Sequence, residues 1–351
     1  MIPVLIFIVS CVTSALLCFP LRSRLIRWKM IAIPTARSSH AKPTVTGAGV
    51  AILLATSLEG LWYGLRSREL VPLLLQIAVA GGAIVSFADD RKSLPISQRA
   101  ICQAVMAFWG FGILRFYLQH MTIDNTAVSG IWSGLLVVLW LLAFTNSFNF
   151  MDGIDGLAAA QATVTGFGMT LLAVTAGANW TDGPVLCCLS VAGGTAGFLP
   201  HNFSKARMFM GDVGSISIGY ILGFAVIWIS LEYSLDLLVP LILLHANFIF
   251  DATITLFRRI WNSENWRQGH REHFYQRLVR SGWSHATVTL TEMILQIVVL
   301  GLMLRYWHAD FLVRIELVGL VITLWLAFFG WCEFNFRRNP AGLRKELVAE
   351  R

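Results

Sequence analysis

The sequence predicts an all-α polytopic membrane protein with about eleven spanning helices. Of its 351 residues 56% are apolar and only 13% charged. The apolar residues gather into stretches of about 17 to 25, each long enough as helix to cross a roughly 30 Å hydrocarbon layer. Most of the charge falls in the short connections between them. A soluble, disordered or collagen-like chain is excluded by that composition, and the lack of strict two-residue alternation excludes an outer-membrane barrel.

In chain order the candidate spans cover 2–21, 47–65, 70–88, 100–117, 131–148, 157–176, 185–200, 215–231, 237–257, 286–304 and 311–331. The first has no basic leader before it and no small-residue cleavage pattern after it, so it is expected to be retained. Pro and Gly between 34 and 49 mark a turn-rich approach to the second. No connection is long enough for a separate soluble domain, so residues 1–351 are expected to form one transmembrane domain.

Of the 27 Lys and Arg, 22 fall in the connections after odd-numbered spans and in the tail. The positive-inside rule therefore makes those connections cytoplasmic and the amino terminus external. Arg66, Arg68 and Arg305 lie on the other side, and Arg115 and Arg314 sit where they can snorkel to headgroups. The net charge of +7 reads as topology plus an anion-attracting surface; no pattern for nucleic-acid binding accompanies it. Six cysteines without CxxC spacing read as packing residues rather than a disulfide framework or a zinc site.

Acidic motifs recur on the expected cytoplasmic face. Asp89-Asp90 follows the third span, with Arg91, Lys92 and Arg99 close behind. Adjacent carboxylates repel, and keeping both ionised requires a cation, a basic neighbour or open solvent. After the fifth span, Asn146, Asn149, Asp152 and Asp155 are spaced by three, and Gly153 and Gly156 allow a tight turn, so oxygen ligands can be presented together. Phe209-Met210-Gly211-Asp212-Val213-Gly214-Ser215 supplies a third acidic site, where Asp212 offers a hard oxygen suited to Mg²⁺ or Mn²⁺ beside glycines whose N–H groups can approach phosphate. A glycine turn with a capping aspartate accounts for the same residues.

Basic groups complete the set. If the loop is helical, His270 and His273 are a turn apart, with Arg277 at i+4, and can bind phosphate oxygens; a basic juxtamembrane helix on anionic lipid is the plainer reading. Arg37 and His40 lie in a cationic, hydroxyl-rich loop that can grip a diphosphate or simply anchor at the surface. Asp251, with Asn247, falls inside the ninth apolar span, where an acid needs a partner or a polar cavity.

Together these motifs resemble the polyprenyl-phosphate N-acetylhexosamine-1-phosphate transferases from about Pro34 to His285. NSFNFMDGIDGLA, FMGDVGS and SFADDRKSLP carry the likeness. RSSHAKPT and HREHFYQRLVRSGWSH are similar to the branch that starts bacterial surface polysaccharides such as O-antigen. Ala32, Thr35 and the run Thr46-Gly47-Ala48-Gly49 depart from that branch.

The resemblance implies transfer of a sugar 1-phosphate from a UDP-N-acetylhexosamine to undecaprenyl phosphate, with release of UMP, in a bacterial inner membrane. The amino terminus would be periplasmic and the site cytoplasmic. It implies Mg²⁺, with Mn²⁺ as a substitute, held by Asp212 together with Asp152 or Asp90. Asp89, Asp90, Asp152, Asp155 and Asp212 are the expected catalytic acids. Arg37, His40, Asn146, Asn149, Asp251, His270, His273 and Arg277 are expected at the substrates. Membrane lipid and a second copy, as a homodimer, are the other expected partners, and direct attack by the acceptor phosphate is expected over a covalent enzyme intermediate. A multi-span carrier for an anionic or sugar-linked solute is the competing class, with His245 and Asp251 on its ion route.

Overall fold

The computed structural model describes residues 1–35, 39–40, 42–120, 130–265 and 270–339. Helices α1 (Ile2–Arg27), α2 (Gly49–Ser67), α3 (Leu70–Arg91), α4 (Ile96–His120), α5 (Ile131–Phe150), α6 (Leu157–Thr175), α7 (Gly183–Asn202) and α8 (Asp212–Glu232) are followed by the short α9 (Leu238–Leu243). Then come α10 (Ala246–Trp261), α11 (Phe274–Arg280), α12 (His285–Trp307) and α13 (Phe311–Arg338). Starts are set by local chemistry: the Ser284 hydroxyl accepts the Thr287 N–H at 3.1 Å ahead of α12, and Asp310 accepts that of Val313 at 3.1 Å ahead of α13.

Among the described residues nine of these helices are long and apolar enough to cross a membrane, which places the protein in the expected all-α class. The expected count of about eleven is not reached on that measure. The segment foreseen at 237–257 is a short 3₁₀ turn, α9 and α10, with a 69° bend between its two halves, and counts as a tenth span only if taken as one. The segment foreseen at 47–65 does form α2, but Glu59, Tyr63 and Arg66 dilute its apolar run and it is not among the nine.

The bend leaves a backbone carbonyl without a helical partner, and in an apolar environment such a group must be satisfied by protein. Gln296 donates to the Leu244 carbonyl at 2.6 Å and Gln161 at 3.2 Å. Asn247 links Gln161 to Glu292 at 3.1 and 3.2 Å, so three helices hold the break.

Helix α8 is the core, almost wholly buried and packed by α2, α3 and α5. Small residues let it be approached closely: a β-carbon on Gly219 or Gly223 would stand 2.8 Å from Phe148 and 2.9 Å from Phe144, which are one turn apart on α5. At its start a β-carbon on Gly49 would fall 2.2 Å from the Gly214 α-carbon, so the first turns of α2 and α8 meet backbone to backbone.

A two-stranded antiparallel ribbon, β1 (Ile31–Ala32) and β2 (Thr44–Val45), departs from the all-helical pattern. Val45 continues into a parallel bridge with Met208. The N–H of Phe209 reaches the Val45 carbonyl at 2.7 Å, and the N–H groups of Ala48 and Gly49 reach the carbonyls of Phe209 and Met210 at 3.0 and 2.8 Å. This pairing brings β2 and the residues that follow it against the segment that opens α8.

Candidate active site

The acids Asp89 and Asp90 occupy the last turn of α3. Asp90 turns its carboxylate onto the start of α8, where one oxygen accepts the Asp212 N–H at 2.9 Å and the other the Val213 N–H at 3.1 Å. These are free donors of a helix N-terminus, and an anion there is favoured by the helix dipole as well. Gly211 precedes them at φ +73°, and a β-carbon on it would lie 2.6 Å from Asp90 Oδ2, so glycine alone fits.

From the last turn of α5, the Asn149 amide donates to Asp212 Oδ1 at 2.9 Å and to Ser215 Oγ at 2.8 Å. Three motifs that are far apart in the chain are thus joined by direct hydrogen bonds. Asp90, Asn149, Asp152 and Asp212 line one cavity of about 260 Å³, closed by Ser39, His40, Thr46, Phe209 and Gln276. Sites that enclose a whole drug-sized ligand run to roughly 300–1,000 Å³, so this one suits the polar centre of a substrate rather than all of it.

Burial, with the Asp212 and Asp90 carboxylates beside it, holds the Asp152 carboxyl well above the ordinary range. No hydrogen-bond donor reaches that carboxyl among the described residues. Asp89 also lies against Asp212, while its own oxygens take the Leu94 N–H at 2.6 Å and Arg99 at 3.4 Å. Three acids, Asp90, Asp152 and Asp212, line the recess, with Asp152 unpaired and Asp89 just outside the lining, and a donor set of this kind suits a cation. Among the described residues no three acidic, His or Cys side chains converge as a ready-made cage. A divalent ion completed by substrate phosphates needs only one or two carboxylates from protein.

Other expected site residues are placed elsewhere. Asp155 faces away from the cavity, toward Ala206 and His285. Asn146 donates to Gln103 at 2.9 Å and ties α5 to α4. Asp251 is fully buried beneath α11: it pairs with His273 Nδ1 at 2.8 Å and accepts the Phe274 N–H at 2.9 Å. Arg277 is engaged by Glu272 at 2.7 Å and by Glu333, on the side of α11 that packs on α13. The i+4 spacing put it one turn from His273 correctly, but the neighbouring helix decides where that face points.

His270 is half-buried next to His273; burial, with His273 and Arg259 nearby, pushes it down to about 4. Arg37 lies outside the described residues. Sequence reasoning missed Gln276 and Thr46 as lining groups. Gln276 was findable, being one turn after His273 on the same short helix; Thr46 depends on strand pairing that no local pattern announces.

Residues 72–230 match the model of glycosyl transferase family 4. The chain is 30% identical over 295 residues to the Bacillus subtilis protein named "Probable undecaprenyl-phosphate N-acetylglucosaminyl 1-phosphate transferase", covering 80% of this chain and 78% of that one. The chain belongs to the polyprenyl-phosphate N-acetylhexosamine-1-phosphate transferases.

This transferase is also 29% identical over 296 residues to the decaprenyl-phosphate N-acetylglucosaminephosphotransferase of Mycolicibacterium smegmatis, covering 76% of its own length and 72% of the relative's. To the phospho-N-acetylmuramoyl-pentapeptide-transferase of Enterococcus faecalis it is 34% identical over 216 residues, covering 56% and 64%. It is therefore an enzyme, a membrane phosphotransferase that moves a sugar phosphate to a polyprenyl phosphate, and the carrier reading falls away.

Proposed function

We propose that this transferase moves N-acetylhexosamine 1-phosphate from a UDP-linked donor to undecaprenyl phosphate at the cytoplasmic face of a bacterial inner membrane. The product would be the lipid-diphosphate sugar that starts a surface polysaccharide such as O-antigen. An oxygen of the acceptor phosphate bonds to the β-phosphorus of the donor; the bond between that phosphorus and the bridging oxygen breaks, and UMP leaves with the electron pair.

The observation that carries this reading is the hydrogen-bonded union of Asp90, Asn149 and Asp212 around a cavity that Asp152 also lines. Asp212 and Asp152 would hold Mg²⁺, or Mn²⁺ in its place. When bound, the ion supplies charge screening between two anionic substrates and polarises the phosphoryl oxygens. Asp90 keeps the first turn of α8 in place so that Asp212 faces the cavity. Asp89, tethered by Arg99 beside Asp212, orients the acceptor phosphate, which is already ionised near neutral pH and needs alignment more than activation.

The donor is proposed as an N-acetylhexosamine without further choice: the named relatives divide between N-acetylglucosamine and N-acetylmuramoyl-pentapeptide. Incubation of purified protein with undecaprenyl phosphate, Mg²⁺ and a panel of UDP-sugars tests the reading. Metal-dependent formation of equal amounts of UMP and lipid-diphosphate sugar is the expected result. A well-folded preparation that yields neither from any UDP-N-acetylhexosamine overturns it.

A further inference from the structure

The turn between α5 and α6 sends its two acids in different directions. Asp152 lines the cavity, while Asp155, three residues on, is held entirely by protein outside it. One Asp155 oxygen accepts the Ala206 N–H at 3.0 Å, the other lies 3.1 Å from His285 Nδ1, and its backbone carbonyl accepts the Thr289 hydroxyl at 3.0 Å. The opposite ring nitrogen of His285 lies 3.2 Å from the Ser39 carbonyl.

A carbonyl oxygen only accepts, so His285 must carry its proton on Nε2 to make that bond. Both protonation states allow it. The imidazolium donates to Asp155 as well, and the neutral ring can instead accept the Asp155 N–H, which stands 3.3 Å from Nδ1. Either way Asp155 fixes the orientation of the ring, and the ring pins the backbone at Ser39.

The residue next to Ser39 is His40. Its ring packs edge-on against Phe209 at 4.9 Å and lines the cavity, and its Nε2 is buried with no hydrogen-bond partner among the described residues. A buried, unpaired ring nitrogen is unfavourable unless a bound molecule supplies the partner. A phosphate oxygen, able only to accept, is the complementary group for an imidazole N–H.

We infer that Asp155 is a positioning residue which, through His285 and the Ser39 carbonyl, delivers His40 to a phosphate of the donor. The inference rests on the donor assignment made above and deepens it. Asp155 does not touch the reacting atoms; it decides where a substrate-binding group stands.

Full-length protein in detergent carries the test. Asp155→Asn, His285→Ala and His40→Ala are each expected to raise donor KM about tenfold while kcat stays within about threefold, the pattern of lost binding. Asp155→Asn combined with His285→Ala should be no worse than either alone, because both cut one chain of contacts. A collapse of kcat with donor KM unchanged, or multiplicative losses in the double variant, overturns the inference.

A second arm needs no turnover. Ser39→Cys should react with a maleimide about tenfold faster when His285→Ala is also present, because a released segment opens more often. His285→Gln, whose amide can still donate to the Ser39 carbonyl, should keep the slow rate. Equal rates in all three backgrounds overturn the latch. If the parent protein makes no lipid product, the proposed reaction fails, while the labelling arm still decides whether His285 holds the loop.

Discussion

Asp90 and Asp212 stand carboxylate to backbone: the side chain of the first caps the helix that the second begins, with both of its oxygens engaged by N–H groups at 2.9 and 3.1 Å. One member of the adjacent acid pair is thereby committed to architecture. Asp90→Ala is expected to lower stability by about 1 kcal/mol through the lost cap, measured as a thermal shift in detergent, and to lower turnover with it. A variant of unchanged melting temperature would show that α8 does not depend on this contact.

Asp212 itself should behave differently. Asp212→Asn keeps the size and one acceptor oxygen for Asn149, which donates at 2.9 Å, so expression and melting temperature should stay near those of the parent. Turnover is expected to fall at least about 100-fold, the scale seen when one preorganised electrostatic contact at a reacting centre is removed. Product formation under saturating Mg²⁺ measures it, and kinetics equal to the parent's would take Asp212 out of the site.

Gly153 joins the acidic turn to α11. A β-carbon there would lie 2.0 Å from the Tyr275 hydroxyl, which donates to the Phe150 carbonyl at 2.9 Å. Gly153→Ala should cost about 1–3 kcal/mol by overpacking and depress turnover by pushing α11 off the cavity. Adding Tyr275→Phe should recover part of the loss. Thermal melts of the single and double variants read this directly, and a fully tolerated Gly153→Ala would mean the two segments are not in contact.

The pH response of stability should carry a signature of His270. Burial beside His273 and Arg259 lowers it from 6.5 to about 4, so between those values the unfolded chain binds a proton that the folded chain refuses. Stability must then fall as pH drops through that window, with the group contributing nothing above it. Melting temperatures followed from pH 7 toward pH 4 should decline less steeply for His270→Gln than for the parent. Identical slopes would show that the imidazole is not held neutral by its surroundings.

Much of the membrane architecture was legible because hydropathy is a local property: an apolar run of span length must bury itself in lipid or protein wherever it falls in the chain. The acidic motifs were legible for a related reason, since charged side chains at span ends stand out against that background. Helix α2 falls short of the apolar measure by its own composition, whereas in the bent α9–α10 pair the departure from expectation is tertiary. Glu59 is buried within the bundle, and the break at Leu244 is tolerated because Gln161 and Gln296 reach across from other helices.

By itself, then, the sequence determined a helical membrane protein, the segments that carry its acids and the family chemistry those segments resemble. Only the tertiary structure decided which acid does what. Asp152 and Asp155 share one short motif, yet one lines the cavity and the other binds Ala206 and His285. Arg277 lies one turn beyond His273 but is drawn to Glu272 and Glu333. Spacing along a chain fixes which residues share a turn; the direction a side chain faces is set by the partners that packing brings to it, and those come from segments distant in sequence.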